Sequence, residues 1–282
     1  MGNEITIGGQ AVMEGVMMRS LDKYAIAVRQ PDKKIKIKKI KIKKNKNKIA
    51  NLPIIRGCVR FIETMNIGIK ALSFSASVSQ GDEEESLSTL ELIFTITLSI
   101  AMTILLFYIA PLFLTRFITD KVGILFNIID GVFRLLIFFA YLLLISLMPD
   151  IRRIFQYHGA EHMTVFAYEN KEKLTVKNVK KYTTLHPRCG TSFLLLVFVL
   201  SVFFFTLIKV EGYFPRLGLR LLLLPLIAGV SYEILKFVGK HTDNIFVKIL
   251  IAPGLLLQKI TTRRPTDDML EVAIKSLKAA LS

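Results

Sequence analysis

Charged residues are absent from long stretches of this chain, although they make up 21% of its 282 residues. None occurs in residues 92–115 or 189–208, and each stretch has the roughly 20 residues that a helix needs to cross a bilayer. The whole chain is 52% hydrophobic, with a mean hydropathy of +0.49. This composition excludes an ordinary soluble domain and predicts a membrane protein.

Two further apolar stretches, residues 132–148 and 219–238, contain isolated charged side chains. Arg134 in the first can extend its guanidinium toward the lipid headgroups. Glu233 in the second is an intramembrane carboxylate, a residue type that often marks function. With these two stretches included, the sequence predicts an α-helical polytopic membrane protein with about four transmembrane helices.

Lysine and arginine gather in three parts of the chain. Sixteen of them precede residue 91, eight lie in residues 149–190 and eight follow residue 235, while the loops between carry two each. By the positive-inside rule, both termini and the central loop are predicted to be cytoplasmic. The two cysteines, Cys58 and Cys189, fall on this reducing side, so no structural disulfide is expected.

The chain divides into four predicted parts. Residues 1–52 alternate between apolar and polar side chains, which predicts a small β-rich N-terminal cytoplasmic domain. Residues 53–90 combine an amphipathic surface helix with an acidic linker. Residues 91–260 form the membrane domain, whose last stretch, 244–258, is expected to be re-entrant or interfacial because a lysine and a proline interrupt it. Residues 261–282 form a C-terminal cytoplasmic helix.

A lysine-rich tract, residues 33–48, raises the question of nucleic-acid binding. No aromatic residue occurs between Tyr24 and Phe61, so the tract has no stacking platform for single strands, and no nucleic-acid motif accompanies it. Nucleic acid is therefore not the favoured partner. Anionic lipid headgroups are the nearer partner, at about 1 kcal/mol per basic residue close to the surface, and a merely solvated pair of strands is the alternative.

Only four histidines occur in the chain, and two of them belong to the segment His158-Gly159-Ala160-Glu161-His162. On a helix, His158 and His162 share one face, where two imidazoles can bind one divalent metal ion. The spacing is the H-x-x-E-H pattern of inverzincin metallohydrolases, and it makes Glu161 the candidate catalytic base. Gly159 costs such a helix about 1 kcal/mol relative to alanine, which a close approach of another group would explain.

The predicted topology brings further candidate ligands to the same cytoplasmic side. A third ligand for zinc, or for another divalent metal, is expected from Glu233, His186 or Cys189. His241 follows the fourth span on that side. The structural alternatives are hydrogen-bonded interfacial histidines, a helix cap at His186, a buried thiol, an ion pair of Glu233 with Lys236 or Arg220, and a helix-end cation at His241.

Three segments together resemble the YqhQ family of bacterial membrane proteins: residues 7–19 (IGGQAVMEGVMMR), 157–162 (YHGAEH) and 186–192 (HPRCGTS). The tail, residues 261–274, fits the family as well. The family is classed as domain of unknown function 1385 and described as predicted metal-dependent enzymes. The resemblance therefore implies a multi-pass protein of the bacterial plasma (inner) membrane with a metal-dependent activity.

The first of these segments adds Glu14 and Arg19 as candidate neighbours of the site. Gly8 and Gly9 allow the backbone to bend sharply or to approach a partner closely, so that either charged residue could reach the polar cluster at the membrane surface. A tight turn with an ion pair is the alternative explanation, and the sequence favours it.

Two classes of function fit these observations. The leading hypothesis is a zinc-dependent hydrolase acting at the membrane surface, in which His158 and His162 bind the metal and Glu161 deprotonates water. The rival is a non-enzymatic membrane scaffold, or an assembly factor for membrane-protein insertion, in which a membrane-protein partner docks and the polar cluster only ties helices together. A transporter is disfavoured because the polar residues gather at one face of the membrane.

Reporter fusions test the predicted topology. Fusions at Lys46, Lys173 and Ser282 should report a cytoplasmic location, and fusions at Asp120 or Gly212 an external one, because the loops rich in lysine and arginine stay inside. Compartment-specific reporter activity, normalised to the amount of fusion protein, provides the measurement. An external signal at Lys173 would place the histidines on different sides of the membrane and contradict the predicted convergence.

Overall fold

A computed structural model describes residues 7–42, 49–81, 88–119, 121, 123–207, 210, 212–239, 241 and 244–282. The acidic part of the predicted linker, the end of the lysine-rich tract and Asp120 lie outside these residues. Within them, the chain is mostly helical and carries one small sheet near its N-terminus.

The sheet is antiparallel, and its strands pair in the order of the sequence. The strands are Gly8–Val12 (β1), Gly15–Arg19 (β2), Lys23–Arg29 (β3) and Ile35–Lys41 (β4). The register pairs Gln10 with Met17, Met17 with Ile26 and Ile26 with Lys38. The prediction of a small β-rich N-terminal unit is therefore confirmed.

Helices make up most of the remaining described chain. They are Ile55–Gln80 (α1), Thr89–Ile104 (α2), Ala110–Arg116 (α3), Ile124–Ser146 (α4), Pro149–Glu169 (α5), Val176–Val179 (α6), Gly190–Thr206 (α7), Tyr213–Val238 (α8), Ile245–Thr261 (α9) and Asp267–Leu281 (α10). A 3-10 turn, Ile49–Asn51, precedes α1, and a π-helical turn, Leu105–Ile109, continues α2 into α3. The surface helix predicted within residues 53–90, the helix predicted for the His/Glu motif and the predicted C-terminal helix correspond to α1, α5 and α10.

Both faces of the sheet are covered by helices. Met17 and Ile26 belong to a core with Phe74 of α1, whereas Val16 and Ala27 belong to a core shared with α5 and α10. A strand that is buried on both faces needs apolar residues at successive positions. This requirement explains why β2 and β3 read as nearly continuous apolar runs, and it places the sheet directly beside α5.

Three helical segments are long and apolar enough to cross a membrane: Thr89–Arg116, Ile124–Ser146 and Phe214–Val238. They overlap the predicted spans at residues 92–115, 132–148 and 219–238. The third predicted span corresponds to α7, which is apolar but has 17 residues, so four spans stay a prediction. The stretch expected to be re-entrant or interfacial forms α9, a helix that continues through Pro253.

A buried ionic cluster joins α4 to α8. Arg220 places Nη1 3.0 Å from Oδ2 of Asp130, and its Nη2 donates to Oδ1 of Asn127 at 3.1 Å. Arg134, one helical turn after Asp130, donates to the same carboxylate at 3.2 Å, and none of the four side chains is more than 2% exposed. The expectation that Arg134 extends toward headgroups is corrected, because Asp130 holds the guanidinium inside the bundle.

Asp130→Ala tests this cluster. The change leaves two buried arginines without their shared counterion, and removal of one partner of a buried pair costs about 3–5 kcal/mol. The thermal midpoint of the purified protein in detergent should fall accordingly. The matched control is Asp150→Ala in the exposed first turn of α5, where only a helix-dipole interaction of about 1 kcal/mol or less is lost. Equal thermal midpoints for Asp130→Ala and Asp150→Ala would contradict the role of Asp130 as the shared counterion of the two arginines.

Candidate metal centre

The helix α5 carries the His/Glu motif, as predicted. Pro149 occupies its first turn together with Asp150, positions at which proline and an acidic residue both suit a helix start. Gly159 lies where the segment after α9 crosses, and a Cβ built on it would be only 2.1 Å from the carbonyl oxygen of Arg263. The Arg263 N–H also donates to the Phe155 carbonyl at 2.8 Å. This close approach explains the glycine.

Three potential ligands meet beside α5. His158 and His162 lie one turn apart on the helix, and Cys189 reaches them from the N-cap of α7. The donor atoms of the three side chains all lie within 4.8 Å of one another, with 3.2 Å between Nε2 of His158 and Sγ of Cys189. The structure therefore brings together two imidazoles and a thiol that are more than 25 residues apart in sequence.

Backbone carbonyls fix the tautomers of both imidazoles. Nδ1 of His158 lies 2.8 Å from the carbonyl oxygen of Thr261, and Nδ1 of His162 lies 2.5 Å from that of Thr184. A carbonyl oxygen only accepts hydrogen bonds, so each Nδ1 carries the proton and each neutral ring keeps a lone pair on Nε2. Metal-ligating histidines characteristically donate their other N–H in this way.

The surroundings of Cys189 suit negative charge on its sulfur. The Thr191 N–H donates to Sγ at 3.4 Å, and the Thr191 hydroxyl lies 3.2 Å away. Cys189 also stands at the N-terminal end of α7, where the helix dipole stabilises an anion. Because the thiolate is the metal-binding form of cysteine, this position favours ligation.

Glu161 is buried between the histidines and the sheet. Its Oε2 lies 4.0 Å from Nε2 of His158, and burial raises the pKa of its carboxyl. The nearby backbone N–H of Gly9 in β1 partly offsets this rise in the pKa. A Cβ on Gly9 would lie 2.8 Å from Cγ of Glu161, so glycine is needed for the strand to come this close. The sheet thus lies directly against the candidate base.

His186 lies next to the cluster without offering it a free nitrogen. Its ring centre is 5.6 Å from that of His162, and burial lowers the pKa of both imidazoles. Nδ1 accepts the Arg188 N–H at 3.2 Å, so Nε2 carries the proton and donates to Glu169 at 3.4 Å. Gln258 then holds the His186 backbone through two hydrogen bonds of 2.8 and 2.9 Å. These contacts position the loop that presents Cys189.

Glu233 and His241 lie outside the cluster, which corrects the expected convergence at these two positions. Both carboxylate oxygens of Glu233 accept hydrogen bonds from Arg56 of α1. His241 stacks on Phe237, and its Nδ1 lies 2.9 Å from the carbonyl oxygen of that residue. Glu233 is held away from the cluster because α1 packs against α8 and supplies Arg56. The prediction of membrane spans does not include this contact between helices.

Glu14 and Arg19 form ion pairs, in agreement with the alternative favoured by the sequence. Glu14 accepts hydrogen bonds from Arg153 at 2.5 Å and from the Tyr157 hydroxyl at 3.3 Å. Arg19 pairs with Glu63 of α1 at 3.1 Å. These bonds tie the sheet to α5 and α1, so both residues support the position of the sheet and do not contact the three ligands.

Comparison with known proteins identifies the family. A family described as "Protein of unknown function (DUF1385)" matches residues 52–282. The chain belongs to this family. It is also similar to the uncharacterized protein YqhQ of Bacillus subtilis (strain 168), with 34% identity over 292 residues that cover 97% of this chain and 92% of that protein. No solved structure matches.

The DUF1385 match contains the whole ligand cluster but begins after the sheet. Sequence reasoning found the two histidines, Glu161 and Cys189 from their types and spacing. It missed the carbonyls of Thr184 and Thr261, because a backbone acceptor has no signature in the sequence. The roles of Gly9, Gln258 and Glu169 likewise appear only when separate segments are brought together.

Gly9→Ala tests the contact between the sheet and Glu161. The added methyl group meets both Glu161 and the Met17 carbonyl at 2.8 Å, and overpacking of this kind typically costs about 1–3 kcal/mol. We expect a lower thermal midpoint for this variant. Gly8→Ala is the matched control, since nothing lies within 4 Å of its added Cβ. Indistinguishable melting curves for the two variants would contradict the close approach.

Proposed function

We propose that this DUF1385 protein is a membrane-embedded hydrolase that uses zinc, or another divalent metal, held by His158, His162 and Cys189. The observation that carries the proposal is the pair of Nδ1 bonds to backbone carbonyls. They leave Nε2 of each ring as the potential metal donor, and Sγ of Cys189 lies 3.2 Å from Nε2 of His158. Metal-ligating histidines characteristically donate their other ring N–H to a backbone carbonyl or a carboxylate, as both of these do.

The donor set fits a catalytic zinc ion. Three protein ligands of the His and Cys type, with a fourth position left for water or substrate, are typical of catalytic sites, whereas structural sites use four. Such a metal would polarise the scissile group and lower the pKa of a water molecule. His186 and Glu233 are not part of this ligand set, because their polar atoms are bonded elsewhere.

Glu161 is placed to move the proton. Its carboxylate lies on the helical turn between the two ligands, 4.0 Å from one of their Nε2 atoms. We assign to it removal of a proton from the attacking water and delivery of that proton to the leaving group. The net reaction adds the hydroxyl of water to an acyl or phosphoryl centre and hydrogen to the departing atom. Close packing of Gly9 of β1 against Glu161 limits the movement of this carboxylate.

The surroundings support a location at the cytoplasmic surface of the bacterial plasma membrane. The long apolar helices expose large side chains, with Phe94, Leu143 and Leu222 each more than half exposed, as lipid-facing residues are. The lysine-rich strand β4 leaves Lys39 and Lys41 exposed, and anionic headgroups are the partner that fits this charge. We therefore propose a multi-pass protein with both termini inside.

Metal analysis of purified variants tests the ligand set. Wild type should retain about one zinc ion per chain, and His158→Ala or Cys189→Ser should lose it, because each removes one of three donors. Glu161→Gln should keep the metal, since an amide preserves the shape beside the ligands. Glu233→Gln is the control carboxylate outside the cluster and should also keep it. Equal metal content in wild type and His158→Ala would sink the proposed centre.

Cellular rescue separates a hydrolase from a scaffold. In a strain that lacks the gene, Glu161→Gln should be present in the membrane and metal-loaded but inactive, because a general base contributes about 10²–10⁴-fold in rate. Membrane abundance is measured in parallel to exclude a folding defect. Full rescue by Glu161→Gln at normal abundance would contradict hydrolysis and favour the scaffold, in which an amide keeps most of the hydrogen bonds.

A further inference from the structure

An apolar groove opens beside the candidate metal centre, between α7, α8 and α9. It has a volume of about 250 Å³ and is lined almost entirely by carbon. Its wall on α7 runs from Ser192 through Leu196 to Val199, and Leu235 of α8 and Ile251 of α9 face it. The stretch from Ser192 to Val199 covers about two helical turns, or roughly 10 Å at 1.5 Å per residue.

One end of the groove adjoins the ligand cluster. The lining residues Pro187 and Ser192 stand on either side of the ligand Cys189 in sequence. Ser192 packs tightly on α9, where a Cβ built on Gly254 would lie 2.4 Å from its hydroxyl oxygen. Ser192 is also within 3.4 Å of Gln258, the residue that holds the His186 loop. The groove and the metal centre therefore share the start of α7.

Two basic residues lie at this same end, and one of them is already paired with a carboxylate. Lys236 is exposed in the last turn of α8, between the lining residues Leu235 and Val238. Arg188 packs its Cδ about 3.3 Å from the Cβ position of Gly239, just past that turn, and pairs with Glu169. The other end, at Val199, lies within the apolar part of α7. An apolar slot with a basic mouth is complementary to an amphiphile with an anionic head.

We propose that the groove binds one acyl chain of a membrane lipid with an anionic headgroup, and that such lipids are the substrate class of the site. This inference rests on the proposed hydrolase function. The chain would lie along α7 with its head at Lys236, so the ester that joins chain and head reaches the start of α7. Hydrolysis there places the hydroxyl of water on the acyl or phosphoryl centre and its hydrogen on the leaving oxygen.

A single introduced tryptophan can test the groove directly, because the chain contains none. Leu196→Trp places the only indole in the groove, and Leu194→Trp places it on the exposed face of the same helix, outside the lining. The full-length, metal-loaded protein is reconstituted in phosphatidylcholine vesicles. Fluorescence quenching is then titrated with phosphatidylglycerol or phosphatidylcholine that carries brominated acyl chains.

We expect quenching at position 196 to saturate at low amounts of brominated phosphatidylglycerol, with about a fivefold preference over phosphatidylcholine, the effect of one basic residue near an anionic headgroup. Quenching at 194 should follow the bulk lipid composition. Adding Lys236→Gln to Leu196→Trp should abolish the preference. If the bulkier side chain prevents folding, Leu235→Trp with Phe237→Trp as its exposed control repeats the comparison from α8.

Equal quenching at 196 and 194 by both lipids would show that the groove is ordinary lipid-facing surface and overturn the proposal. Absence of quenching at 196 would show that protein fills it, with the same consequence. Metal content measured on the same samples separates the two proposals. Equal quenching by the two lipids in metal-loaded protein refutes only the lipid-binding groove. A preference for phosphatidylglycerol in protein that binds no metal refutes the hydrolase and the substrate class, but it supports the lipid-binding site.

Discussion

The contact between α5 and the segment that follows α9 is the constraint on which the candidate site depends. Gly159 lets the Arg263 carbonyl come to a distance that any side chain would prevent. The same contact brings the carbonyl of Thr261 onto Nδ1 of His158. One residue without a Cβ therefore sets the tautomer of a ligand from across the fold, and its cost to the helix, about 1 kcal/mol, is offset by that packing.

The ligand cluster is assembled from parts that cannot form it separately. Two candidate ligands come from one helix and the third from the cap of another, and the candidate base packs against a strand more than 150 residues away in sequence. The sheet reaches Glu161 because helices cover both of its faces and ion pairs such as Glu14 with Arg153 tie it to α5. The family match begins at residue 52, so it does not include the sheet.

The fold contains two polar sites of different character. In the cluster around His158 and His162, the donor atoms of two imidazoles and a thiol lie within 4.8 Å of one another. In the cluster around Asp130 and Arg220, opposite charges neutralise one another within the α4–α8 contact. The first arrangement leaves lone pairs available, and the second uses its charges to hold helices together. This difference is why the histidine cluster carries the proposed chemistry.

Local pattern alone determined the apolar segments, the presence of strands near the N-terminus, the helical face shared by His158 and His162, and the need for close approach at Gly159. These properties depend on side chains near one another in sequence, so periodicity and residue type are enough to predict them. Tertiary structure decided which distant residues joined that face. Cys189 reaches that face from the start of α7. Glu233 does not, because α1 packs against α8 and Arg56 of α1 binds its carboxylate. Such contacts between separate segments leave no periodic signal in the sequence.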